Sequence, residues 1–203
     1  MHTSFRWAAS TLLIVGGLTA GCGHLQSDPS KGAAPNKQRL MLNEGYSLLY
    51  HDAGNLDLSE LLLYVKKESE PVEKVVSAAA ETGGQLKKDL EHIAKTYPAV
   101  RIDLDPLPEM EKRKRAAISK DRARYFAPVV GHGGREYERT VLIAFANGFN
   151  HERHLCQVMA DAEPEASLKK FLLDAEKRYD ALYERVNTLL EKEYFKDPDG
   201  KTQ

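Results

Sequence analysis

Hydrophobic residues recur at three- and four-residue intervals in four long stretches, the spacing that gathers them on one side of an α-helix. The plainest stretch opens at Ser69-Glu70-Pro71, a start signal with a capping hydroxyl, an acid for the first turn and a proline whose missing N–H costs nothing there. Val72, Val75/Val76, Ala79, Gly83, Leu86, Leu90, Ile93 and Tyr97 make its apolar seam. Glu73, Lys74, Lys87, Lys88 and Glu91 make its charged side, and Pro98 ends it. A helix of roughly 26 residues follows, about 40 Å long at 1.5 Å per residue. Upstream, from Lys37, the same period runs through Leu42, Tyr46 and Leu49. It resumes at Leu58, Leu61, Leu62 and Val65 and lasts to Lys67, after the turn-like Asp52-Ala53-Gly54-Asn55. That predicts one helix with a break near Gly54, or two short helices in series.

Pro98–Pro108 alternates Val100, Ile102 and Leu104 as a strand would, but it has nothing to pair with and three prolines crowd it. An extended crossover is the expectation. Glu109–Phe126 reads as a strongly charged helix. Its basic cluster Lys112–Arg115 is read as a solvated face, a lipid-headgroup sensor being the remote alternative. Pro128 and Gly131-His132-Gly133-Gly134 interrupt the pattern, and the glycines lack the Lys-Ser/Thr of a phosphate loop. The third long helix spans Arg135–Ala162, with Tyr137, Val141, Leu142, Phe145, Phe149, Leu155, Cys156 and Met159 at helical spacing. Glu163-Pro164-Glu165 turns the chain into the last, with Leu168, Phe171/Leu172, Ala175, Tyr179, Leu182, Val186 and Leu189/Leu190 on its seam. Four amphipathic helices joined by turns and one long crossover predict an all-α four-helix bundle over residues 37–197, with 198–203 as a tail.

The N-terminal segment follows another rule. A single Arg6 precedes an apolar run, Trp7–Leu18, and small residues lead to Cys22, the plan of a secretory signal peptide too short to span a bilayer. Leu18-Thr19-Ala20-Gly21-Cys22 resembles the lipobox of bacterial lipoproteins, with Thr19 standing where that family usually has leucine. The resemblance implies that residues 1–21 are removed and that Cys22 takes a diacylglycerol while the new N-terminus is acylated. Acyl chains at about 0.8 kcal/mol per CH₂ would then hold the chain on a membrane. Residues 22–36, rich in Gly, Ser, Pro and Ala, read as a flexible tether from that anchor. The expected location is the cell envelope. Gly23 after the cysteine, rather than the inner-membrane retention signal Asp, points to the periplasmic face of an outer membrane where the organism has one.

Composition narrows the partners. The 203 residues fit one domain, and 29 Lys+Arg against 30 Asp+Glu leave no basic excess for nucleic acid. Charged residues at 29% with aromatics at 8% suit solvated helices better than an all-β fold. The expected partners are the membrane, through the lipid, and an envelope protein. With Cys22 lipidated, Cys156 has no disulfide partner.

The candidate chemistry lies in Asn147-Gly148-Phe149-Asn150-His151-Glu152-Arg153-His154. His151 and His154 share one side of a helix. Extending Ala144, Gly148 and Leu155 aims His151 at the core and His154 at the flank. Imidazole ligates zinc, copper and iron, but a stable site wants three or more convergent groups, and this run is one residue short of His-Glu-x-x-His. Further donors would have to be Glu60, Glu91 with His92, Glu136 or Glu138; Glu91 and His92, being adjacent, project about 100° apart. A hydrogen-bonded structural histidine is the favoured reading of His151, and an iron or zinc ligand the alternative. No serine stands in a catalytic context. Cys156, two residues from His154, points away from it and reads as a small core filler.

Several short motifs are similar to a family of secreted bacterial ferritin-like domains of unknown function. They are Gly54-Asn55-Leu56-Asp57 with Glu60, the Val72–Tyr97 helix, Gly134-Arg135-Glu136-Tyr137-Glu138-Arg139 leading to His151, and Leu168-Lys169-Lys170-Phe171. The resemblance implies a ferritin-like bundle covering most of the chain after the tether. That family commonly has an inward histidine in its second long helix, where this chain has Gly83, which leaves half of such a pair absent. Two functions compete: a lipid-anchored, non-enzymatic interaction domain, which is favoured, and a metal-binding or redox protein using His151 with Glu60 and Glu138.

Overall fold

The computed structural model describes residues 30–60, 69–125 and 134–195, with side chains for 37–59, 69–121 and 134–195. Cys22 and the signal segment, the apolar positions Leu61, Leu62 and Val65, and the break at Pro128–Gly133 lie outside them. The described chain is all-helical. The helices are α1 (Ser30–Asp57), α2 (Glu70–Thr96), α3 (Glu109–Tyr125), α4 (Gly134–Ala162) and α5 (Ala166–Leu189). A 3₁₀ turn follows α1 at Leu58–Glu60, and a π turn at Leu190–Tyr194 extends α5.

α1 and α2 form one antiparallel hairpin and α4 and α5 another, and the two pack through α1 against α4 and α2 against α5. Polar ties fix the directions. The Asn43 amide donates to Ala99 O at 3.0 Å and accepts from Arg101 N–H at 3.1 Å, so the chain leaving α2 passes the middle of α1. The Ser69 N–H, opening α2, donates to Glu138 near the start of α4, so these two helices begin at the same end. Between them the chain runs extended from Tyr97 to Pro108 and then through α3.

The seam of α2 is buried as its spacing predicts, from Val72 to Ile93, with Gly83 inside it; Tyr97 is half-buried. Leu42, Tyr46 and Leu49 likewise enter the core, as do Leu168, Leu172, Ala175, Tyr179, Leu182 and Val186. The predicted break at Gly54 is absent: α1 runs on to Asp57, and Ala53 is wholly buried. Gly83 explains the continuity. A Cβ built there would lie 2.7 Å from Ala53 O and from Asp57 N, so the two helix backbones approach as closely as only glycine allows. Packing of this kind outweighs the roughly 1 kcal/mol that a glycine costs inside a helix. The first seven residues of α1 fall in the stretch read as tether.

The site that the resemblance associates with a histidine therefore has no room for one. Gly83→His is expected to lower the thermal midpoint by about 5 °C or more, because overpacking against backbone costs roughly 1–3 kcal/mol or more. A calorimetric scan showing an unchanged midpoint would contradict the close approach.

Candidate functional site

The predicted ligands do not meet. His151 is exposed, against the inward aim read from the sequence, and His154 is exposed as well. The buried positions of α4 are Tyr137, Glu138, Val141, Leu142, Phe149, Cys156, Met159 and Ala160. That seam steps through Phe145, Phe149, residue 152 and Cys156 by fours and threes, so Glu152 takes the inward place and His151 lies about 100° off it. Ala144 and Gly148, which suggested the other phase, sit on the flank, and nothing lies within 4 Å of a Cβ at Gly148.

Glu138 is buried near the other end of α4, about 20 Å along the axis from His151 at 13 residues of rise. Its work there is structural. It accepts the Ser69 backbone N–H and, at 2.5 Å, the Tyr194 hydroxyl, while Arg135 lies 5.2 Å over the Tyr194 ring. Burial alone would raise its pKa, but the hydrogen bonds from Tyr194 and Ser69 prevail and hold it below the usual carboxylate value. Ser69 does sit at the N-cap of α2, yet its hydroxyl makes no cap bond; the carboxylate from α4 ties down the helix start instead. Glu91 accepts from the Tyr50 hydroxyl at 2.9 Å, and His92 and Glu136 are exposed. The Glu60 side chain lies outside the described residues. Among those residues no three His, Cys, Asp or Glu side chains are arranged to hold a metal ion, and the geometry gives us no reason to read His151 or His154 as ligands.

A different group of side chains does converge. Asp52 of α1 faces Glu152 of α4, and the two carboxyls share a hydrogen bond. Glu152 Oε2 is shut off from solvent with no hydrogen-bond partner among the described residues, and the same holds for the Tyr179 hydroxyl. Tyr179 is 1% exposed and lies within the electrostatic reach of Glu152, Cys156 and Asp52. On the solvent side, Arg115 Nη1 of α3 stands 3.6 Å from Asp52 Oδ1, and His51 Nδ1 stands 3.1 Å from it.

Burial, then the neighbouring Asp52 charge and the bond to it, push the Glu152 carboxyl up to about 8, with Arg115 opposing. Near neutral pH Glu152 therefore keeps its proton. Cys156 is a buried free thiol whose pKa burial drives well above its ordinary value, with Glu152 adding to the effect. It is held as the thiol, without the thiolate a nucleophile needs, in keeping with a core filler. Tyr179 is raised too, chiefly by burial.

Just past the end of α4, Glu163 is a further buried carboxylate, with a complete set of partners. Glu163 accepts a bidentate pair from Arg39 at 2.7 and 3.1 Å, the Tyr46 hydroxyl at 3.0 Å and the Glu165 N–H at 3.2 Å. It joins α1, through Arg39 and Tyr46, to the α4–α5 turn and is a structural tie.

Comparison of the chain with protein-family models, with curated proteins and with solved structures finds no match. The functional reading therefore rests on the chain's own residues.

Proposed function

We propose that this chain is a lipid-anchored cell-envelope protein whose helices form a ferritin-like four-helix bundle, and that the bundle acts through contact with an envelope partner rather than by catalysis. The observation that carries the reading is Leu18-Thr19-Ala20-Gly21-Cys22 after a short apolar run with one basic residue. Two hairpins of long helices joined by one long crossover support the bundle assignment. The ionisable groups in the interior support a structural role: Glu138 and Glu163 are consumed by ties between helices, and Cys156 is held as a thiol. No helix among the described residues is long and apolar enough to cross a membrane, so attachment in this reading depends on the lipid.

Fractionation of bacteria expressing the full chain tests the anchor. The wild type is expected in the membrane fraction, released by detergent but not by high salt, and Cys22→Ala in the soluble fraction. Equal distribution of the two proteins would overturn the reading.

A further inference from the structure

Positive charge is gathered on α3. This helix carries seven basic residues against three acidic ones, whereas the chain as a whole is net −1, so the remainder is net acidic. None of residues 109–121 is buried, yet the helix has two distinct sides. Glu111 and Lys112 are half-buried, and Arg115 stands 3.6 Å from Asp52 of α1. These three lie within about 60° of Arg115 around the helix and mark the side facing the hairpins. Met110, Arg113, Ala117 and Lys120 stand about 140–160° round from Arg115, on the side turned away. Met110 is 75% exposed, more than any other large apolar side chain among the described residues, and the Arg113 side chain is 72% exposed. Glu109, 3.1 Å from Arg113, is the acid at the edge of that side.

We propose that the outward side of α3 is a docking surface for anionic lipid headgroups of the membrane that holds the anchor, with Arg113 and Lys120 on the headgroup phosphates and Met110 entering the headgroup layer beside them. Bases flanking an exposed apolar side chain suit such a layer: phosphates receive the charges while the thioether leaves water. The acids that pair with these bases inside α3 are already counted in its balance, so an excess of four positive charges remains. Charge also sets the orientation, because an anionic surface attracts α3 and repels the net acidic remainder of the chain. The inference rests on the proposed lipid anchor, which brings a bilayer within reach of the helix.

Hydrogen–deuterium exchange of the full chain on vesicles tests it, comparing phosphatidylcholine alone with a mixture containing phosphatidylglycerol. At low salt, residues 109–121 are expected to exchange about threefold or more slowly on the anionic vesicles than on the neutral ones. The difference should vanish in roughly molar salt, where the screening length is about 3 Å. Residues 70–96 should exchange alike on both. Arg113→Gln with Lys120→Gln should abolish the difference. Lys112→Gln with Arg115→Gln, which removes the same charge from the other side, should keep it. Pelleting with neutral vesicles reads the anchor separately: a chain left in the supernatant there contradicts the lipid, but it should still pellet with the anionic vesicles at low salt. Equal exchange of residues 109–121 on the two vesicles, or equal loss in both double variants, would overturn the proposal.

Discussion

Glu163→Ala is expected to destabilise the fold by about 3 kcal/mol, within the range for removing one partner of a buried ion pair. The substitution leaves three donors behind. Arg39 is partly exposed and will find water, but the Tyr46 hydroxyl is fully buried and depends on Glu163. Burial, with the Glu163 charge and hydrogen bond, already drives the Tyr46 pKa far above the ordinary phenol value, so this hydroxyl stays a proton donor that must be satisfied. Because Tyr46 and Glu163 act as a unit, Tyr46→Phe should cost much less in the Glu163→Ala background than in the wild type. Urea unfolding of the four proteins reads both quantities. A loss under 1 kcal/mol, or strictly additive effects, would mean that α1 and the α4–α5 turn are not joined through this carboxylate.

The second large effect has the opposite sign. Glu152→Gln is expected to stabilise the protein in mild alkali, by on the order of 2–4 kcal/mol at pH 9. In the unfolded chain this carboxyl ionises near 4.5, whereas in the folded protein it keeps its proton up to about 8. The folded state thus binds more protons across that interval, and the wild type loses stability as pH rises from about 4.5 to about 8. Glutamine has no proton to lose and matches the neutral acid in shape, so the fall should be absent in the variant. At pH 4, where wild-type Glu152 is neutral in both states, the two proteins should unfold within about 1 kcal/mol of each other. Thermal scans from pH 4 to 9 would decide it; parallel curves would show that Glu152 does not keep a buried proton.

How far the sequence carries can be judged at particular positions. The bounds of α2 and α4 and the core of α5 follow from three- and four-residue spacing because nearly every seam residue there is apolar. The same spacing, continued through Phe145, Phe149, Cys156 and Met159, already points inward at position 152. Ala144 and Gly148, small residues equally at home on a flank, suggest a different seam, and that seam would aim His151 inward. One residue of phase is about 100° on a helix, enough to exchange an exposed imidazole for a half-buried acid. Burying Glu152 also contradicts the ordinary preference of charged groups for water, and it becomes intelligible only when Asp52 arrives from another helix. Gly54 misled for a related reason. A turn-like tetrad breaks a helix in isolation, but here Gly83 brings a second backbone against the one it would have broken. Glu138 and Glu163 find their partners 69 and 124 residues away, at Ser69 and Arg39, which no local pattern discloses.

The functional claim rests on what happens at Cys22, and the mass of the mature N-terminal peptide tests it most directly. The full chain, expressed in a bacterium and recovered from membranes, should yield a peptide beginning at Cys22 that carries a diacylglyceryl group on sulfur. The peptide should be replaced by the uncleaved form when the thiol is removed by Cys22→Ala. An unmodified peptide, or one cut at another position, would contradict the anchor and with it the placement of this helical domain at a membrane surface.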